Sequence, residues 1–158
     1  MHVDETGQHC FLLADTKILY YYFKTEAPTE LDFELLLQQI RPTSTRRNTQ
    51  CRIVISSLAL LPLKFDEILL FQILVGTNDG SIICGDFLSG KDAYLVKAEH
   101  GIRVPCRRSN GILDMSIFTR DDKHFCILVA TNDTLFQFVG GRSTEDESYD
   151  LQGTLTRY

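Results

Sequence analysis

Ile73-Leu74-Val75-Gly76-Thr77-Asn78-Asp79-Gly80-Ser81-Ile82-Ile83-Cys84-Gly85-Asp86-Phe87 holds the fold in miniature. An apolar run closes on a small residue, passes through Asn78-Asp79-Gly80 and resumes as a second apolar run. Asn, Asp and Gly tolerate the positive φ that a tight reversal between twisted strands requires, so the stretch is expected to form a β-hairpin.

The same phrase occurs twice more. Leu12-Leu13-Ala14-Asp15-Thr16 and Leu128-Val129-Ala130-Thr131-Asn132 are variants of Leu74-Val75-Gly76-Thr77-Asn78, and each is followed by a fresh apolar run, Ile18 to Phe23 and Leu135 to Val139. The copies recur at 62 residues from Leu13 to Val75 and 54 from Val75 to Val129, longer than the ~40–50 of common propeller repeats but compatible with them if loops are inserted. Upstream of each hairpin lies another apolar stretch and another polar break: Val3 before Asp4 to Gly7, Ile53 to Leu63 before Lys64 to Glu67, and Ile112 to Phe118 before Arg120 to Lys123. Each unit therefore has at least three antiparallel strands.

Antiparallel units repeated at this period point to the blades of a β-propeller. The expected fold is all-β: a partial, WD-like propeller of about three blades in an open ring, forming one domain over residues 1–158. The blade-like units fall at about 1–40, 51–97 and 111–140, with inserted loops at 41–50 and 141–150. A blade needs a fourth strand, and the candidates are Leu31 to Ile40 in the first unit and Tyr94 to Val96 in the second. Residues 31–40 suit a strand through Leu31-Asp32-Phe33-Glu34-Leu35 and equally a short helix capped by Thr29. Three blades cannot close a ring, and His2-Val3 runs straight into a turn. The chain is thus expected to be part of a longer propeller, or an incomplete version of one.

Composition narrows the function classes. The 158 residues are 44% hydrophobic and 23% charged, and 16 basic against 21 acidic residues give a net charge of −5. That balance supplies no cationic footprint for nucleic acid. Five cysteines, at 10, 51, 84, 106 and 126, include no C-x-x-C pair and read as reduced core residues. The amino terminus lacks the basic start and apolar stretch of a signal peptide. Ile53 to Val75 is apolar enough to imitate a membrane span, yet Lys64, Asp66 and Glu67 fall within it, each costing about 2.5–3.5 kcal/mol at a helix centre. Two strands and a turn are expected there instead.

The sequence holds no complete catalytic motif. Gly85-Asp86-Phe87-Leu88-Ser89-Gly90-Lys91-Asp92 fits a phosphate-binding loop until Asp92 stands where a magnesium-ligating Ser or Thr is needed. The next residues, Ala93-Tyr94-Leu95-Val96, favour a strand over the helix that such a loop should open. His2, His9, His100 and His124 have no metal-ligand spacing and read as surface or packing residues. Ser56 and Ser57 lie outside any nucleophile elbow, and Asp66-Glu67 and Asp121-Asp122 read as turn carboxylates. Asn132-Asp133-Thr134 matches a glycosylation sequon but reads as a turn. Arg41, Arg46, Arg47 and Arg52, with Arg103, Arg107 and Arg108, form two basic clusters that read as solvated loop cations ahead of the alternative, contact with anionic lipid or an acidic partner. No residue is assigned a catalytic, cofactor-binding or metal-binding role, and the chain is not expected to be an enzyme.

The later repeats carry a resemblance. Ile73 to Ile82, followed by Ile127-Leu128-Val129-Ala130-Thr131 and Leu135-Phe136-Gln137-Phe138-Val139-Gly140, resembles in order and spacing two phrases of the deep-orange family. These are the class C vacuolar protein sorting subunits also called Pep-three or vacuolar sorting protein eighteen. Val3 to Leu13 is similar to the preceding blade of that family's amino-terminal propeller. The resemblance implies a core subunit of the HOPS and CORVET tethering complexes, which bridge endosomal and vacuolar membranes carrying Rab GTPases and promote SNARE-mediated fusion. It implies the other class C subunits as partners and a peripheral place on late endosomes and the vacuole or lysosome. The family's helical solenoid and cysteine-rich RING finger have no counterpart in these residues. The competing expectations are a propeller scaffold of an unrelated cytosolic complex and, more remotely, a nucleotide-binding enzyme using residues 85–92.

Overall fold

A computed structural model of the chain describes residues 1–4, 7–14, 17–24, 27–31, 54–63, 70–88, 94–105, 111–143 and 149–158. Every helix or strand element among them is a strand, and the strands form three four-stranded antiparallel sheets. Sheet 1 holds β1 (His2–Val3), β2 (His9–Ala14), β3 (Lys17–Tyr22) and β4 (Thr29–Leu31). Sheet 2 holds β5 (Ile55–Leu63), β6 (Leu70–Thr77), β7 (Ser81–Leu88) and β8 (Tyr94–Arg103). Sheet 3 holds β9 (Asp114–Asp121), β10 (His124–Ala130), β11 (Leu135–Arg142) and β12 (Tyr149–Arg157). Strands pair in chain order within each sheet, which is the meander of a propeller blade. β5 lies against β1 on one side and β9 on the other, and the fourth strands β8 and β12 meet. The sheets therefore stack face to face in an unclosed array, a partial propeller.

The stacking explains the apolar run that imitates a membrane span. Sheet 2 is buried on both faces. Ile55, Ile73, Val75, Ile83 and Phe87 join Phe11, Ile18, Tyr20 and Leu31 of sheet 1 in one seam. Ala59, Leu61, Leu74, Ile82, Cys84 and Ile102 join Met115, Phe125, Ile127, Val129, Phe136 and Phe138 of sheet 3 in the other. A strand covered on both sides needs apolar residues at odd and even positions alike, so alternation vanishes. Each fully buried side chain of this size contributes about 1.5–3 kcal/mol. No helix among the described residues is long and apolar enough to cross a membrane.

Four differences from the sequence reading have physical causes. In sheet 1 the fourth strand is Thr29–Leu31, so of the candidate at 31–40 only Leu31 is described; the strand-or-helix alternative at 32–40 and the loop at 41–50 lie outside the described residues. In sheet 2 the fourth strand continues past Val96 to Arg103, its ladder to β7 interrupted by two register shifts that the sequence does not display.

The third unit does not stop at 140. Gly141 and Arg142 finish β11, while Tyr149 and Asp150 begin β12, a fourth strand absent from the sequence reading. What remains of the proposed loop at 141–150 is Ser143, and residues 144–148 lie outside the described set. Glycines in these two strands are sites of close approach. A Cβ on Gly140 would strike the Phe125 ring and lie 2.5 Å from the Asp150 carbonyl, and one on Gly153 would lie 2.6 Å from Cζ of Phe138.

Finally, the three copies of the repeated phrase are not equivalent side chain for side chain. Val75 and Val129 face the preceding sheet, whereas Leu13 packs with Phe11 and Ile18 toward the following one. The pleat has a period of two, so aligning the first copy by its letters is off by one residue, and Leu12 takes the face of Val75 and Val129.

Candidate interaction surfaces

The hairpin turns at one end of the array are built by their own side chains. Gly80 has φ +84° and its N–H donates to the Thr77 carbonyl at 3.1 Å, the arrangement of a three-residue loop closed by a left-handed glycine. Fully buried Thr77 Oγ1 accepts from Ser81 N at 3.1 Å and lies 2.6 Å from Asp79 Oδ1 and 2.9 Å from Ser81 O. Burial alone would raise the Asp79 pKa. Hydrogen bonds from the Thr77 hydroxyl and from the Ser81 hydroxyl and amide, with the Arg103 charge, hold it below its usual value. In sheet 3, Thr131 Oγ1 repeats the pattern without glycine, at 3.2 Å from Asp133 Oδ1 and 2.9 Å from Thr134 O. Asn78 then ties its turn to the start of β5, accepting from Val54 N at 2.9 Å and donating to Val54 O at 3.0 Å. These carboxylates and hydroxyls are engaged in closing turns.

The residues weighed for chemistry are dispersed. Gly85 of the phosphate-loop imitation sits inside β7, paired with Ile73 and Ala98, and the chain after residue 93 is the strand β8. Residues 89–93, including Lys91, lie outside the described residues. His9 is 3% exposed, with Nδ1 2.7 Å from the Tyr20 hydroxyl and its ring stacked 5.0 Å from that of Tyr22. His124 is exposed, with Nδ1 2.8 Å from Asp121 Oδ1, which also accepts from Lys123 N at 2.9 Å. Bonds from the Lys123 amide and the His124 ring lower the Asp121 pKa. Ser56 Oγ donates to the Ile112 carbonyl, while Ser57 is buried in β5. Cys10, Cys84 and Cys126 are not joined in disulfides, and Cys51 and Cys106 lie outside the described residues. Of the seven arginines in the two basic clusters only Arg103 is described. No group of three or more His, Cys, Asp or Glu among the described residues could hold a metal ion.

What the described structure does present is sheet faces. On sheet 3, the face turned away from sheet 2 forms a shallow concavity of about 610 Å³ lined by Phe118, Arg120, Cys126, Gln137, Val139, Thr154, Thr156 and Tyr158. Gln137 organises it, donating to Cys126 Sγ at 3.5 Å and accepting from the Tyr158 hydroxyl at 2.7 Å. Phe118 is 41% exposed and Tyr158 70%. On sheet 1, the cross-strand pairs Val3–Cys10, Cys10–Tyr21 and Leu12–Leu19 mark the opposite face, turned away from sheet 2. The sequence reading missed the first of these surfaces because it missed β12. The alternation of Tyr149, Leu151 and Leu155 with polar neighbours was the available signal.

The family model described as the Pep3/Vps18/deep orange beta-propeller domain covers residues 1–157. No curated protein and no solved structure matches the chain.

Proposed function

From the premise that this chain belongs to the Pep3/Vps18/deep orange family, we propose that it is a non-catalytic subunit of an endosomal or vacuolar membrane-tethering complex. The family is one of vacuolar sorting complex subunits. In this reading residues 1–158 act as one arc of propeller that supports vesicle docking and fusion through protein–protein contacts. Its partners are the other class C subunits of HOPS and CORVET, and through them Rab GTPases and SNAREs. It sits peripherally on the late endosome and the vacuole or lysosome.

The observation that carries the reading is the family match over nearly the whole chain. The described surface supports it, since carboxylates such as Asp79 and Asp121 are committed to turns, while among the described residues no further sheet covers the outer faces of sheets 1 and 3. Gly85 inside a paired strand also removes the local geometry that a phosphate-binding loop would need.

Affinity capture of the tagged chain from cells, with mass spectrometry of what is retained, tests this directly. Class C subunits and endosomal SNAREs are expected in the retained set. Their absence alongside a different stable set of partners would replace tethering with a scaffold role in an unrelated complex. Nucleotide binding abolished by Lys91→Ala would instead restore the enzyme reading.

A further inference from the structure

The chain that joins β11 to β12 opens on a serine with a marked charge pattern behind it. Ser143 is followed by Thr144-Glu145-Asp146-Glu147, so carboxylates stand two, three and four residues after its hydroxyl. Protein kinases select substrates by charge pattern, and a serine with acidic residues just downstream fits an active-site groove lined by Lys and Arg.

The fold places that serine where a phosphate has cations to meet. Arg142 ends β11, paired with Tyr149 of β12, and Ser143 is the half-buried residue that follows it. The Arg142 amide donates to the Lys123 carbonyl at 2.7 Å, which brings the β9–β10 turn alongside, with Lys123 and His124 exposed. The Arg142 guanidinium lies 5.9 Å from the centre of the Tyr149 ring, and its Nε is buried with no hydrogen-bond partner among the described residues. A buried donor without an acceptor is costly, and an acceptor carried by the next residue would relieve it. Two of the nearby carboxylates are turned to other donors: Asp121 accepts from the Lys123 amide at 2.9 Å, and Asp150 accepts from the Gln152 amide at 2.8 Å. Asp122, exposed in the same turn, is the opposing charge.

We propose that Ser143 is a phosphorylation site for an acidophilic serine/threonine kinase, and that the phosphate binds Arg142 and Lys123, clamping the β11–β12 hairpin to the β9–β10 turn. In the transfer, Ser143 Oγ bonds to the γ-phosphorus of magnesium ATP and the bond from that phosphorus to the bridging oxygen breaks. ADP leaves, and the hydroxyl proton passes to the kinase's catalytic carboxylate. A charge of about −1.5 to −2 then stands where a neutral hydroxyl was. Phosphate oxygens accept charge-assisted hydrogen bonds from guanidinium and ammonium groups, and the idle Arg142 Nε supplies one such donor. The site is independent of which complex the chain serves.

Incubating the purified 158-residue chain with an acidophilic kinase of the casein-kinase-two type and magnesium ATP, followed by peptide mapping, tests the site. Phosphate on Ser143 is expected, and Asp146→Asn should slow its incorporation by about tenfold or more, as the loss of one charged contact does. Phosphate confined to Thr144 or Ser148, or none on the folded chain, overturns the proposal. Phosphorus NMR of the modified chain tests the receiving cations. The second pKa of phosphoserine, about 6 when unperturbed, should be lowered, and Arg142→Gln and Lys123→Gln should each bring it back toward that value. Lys123 is exposed, so its variant keeps the test decisive should Arg142→Gln fail to fold. A second pKa that neither substitution moves overturns the clamp.

Discussion

His9 shows how one side chain acquires a role that its neighbours in sequence do not announce. Its amide donates to the Asp4 carboxylate at 2.8 Å, yet its ring is buried beside Tyr20 and Tyr22. Burial lowers its pKa from the ordinary 6.5, against the opposing charge of Asp4. His2 shifts the same way, through burial and the amino-terminal charge, against Asp114 and a bond to the Leu58 backbone. Both rings are more easily protonated in the unfolded chain. Their contribution to stability is therefore complete above pH 6.5 and declines as pH falls from there toward the lowered folded values, by at most about 1.4 kcal/mol per pH unit for each ring. The urea midpoint should fall between pH 7.5 and 5.5, and His9→Gln should flatten that fall. An unchanged slope in the variant would contradict the assignment. The histidine itself was visible in the sequence, but its burial was not, because it depends on which face of β2 meets sheet 2.

Among the elements, the β6–β7 hairpin was the most legible, since Asn78-Asp79-Gly80 has the chemistry of its turn written into it. Its side-chain network goes further than the backbone requirement, and its counterpart at Thr131 to Thr134 is a looser version without the glycine. Asp79→Ala should cost about 1.5–3 kcal/mol, the net range for hydrogen bonds to a charged group, and Asp133→Ala clearly less. Chemical denaturation of both variants checks the order, and equal losses would show that the shorter contact at Asp79 carries no extra stability. The fourth strands were the least legible. β8 passes through Lys97, Glu99, His100 and Gly101, and β12 through Gln152, Gly153 and Thr154. Outer strands with polar or glycine positions give weak alternation, and β12 is tolerated as a strand because Gly153 lets it approach Phe138.

For the whole molecule, stability resides in the two seams more than in any single sheet. Phe87 is fully buried at the first of them, its ring 5.1 Å from Phe11 and 4.7 Å from Tyr20 across the sheets. Phe87→Ala should cost about 3–5 kcal/mol, and tryptic susceptibility of sheet 1 should rise with it if the sheets are held by the seam. A loss below about 1 kcal/mol would mean that sheet 1 stands without sheet 2. The sequence by itself determined the strand class, the threefold recurrence, the hairpin turns and the family, because turn chemistry and apolar runs are local and are repeated. The tertiary structure alone decided which face of each strand is buried, that Leu13 departs from Val75 and Val129, and that glycines at 140 and 153 continue strands. Those outcomes follow from the pleat and from the distance between sheets, which a linear chain does not carry.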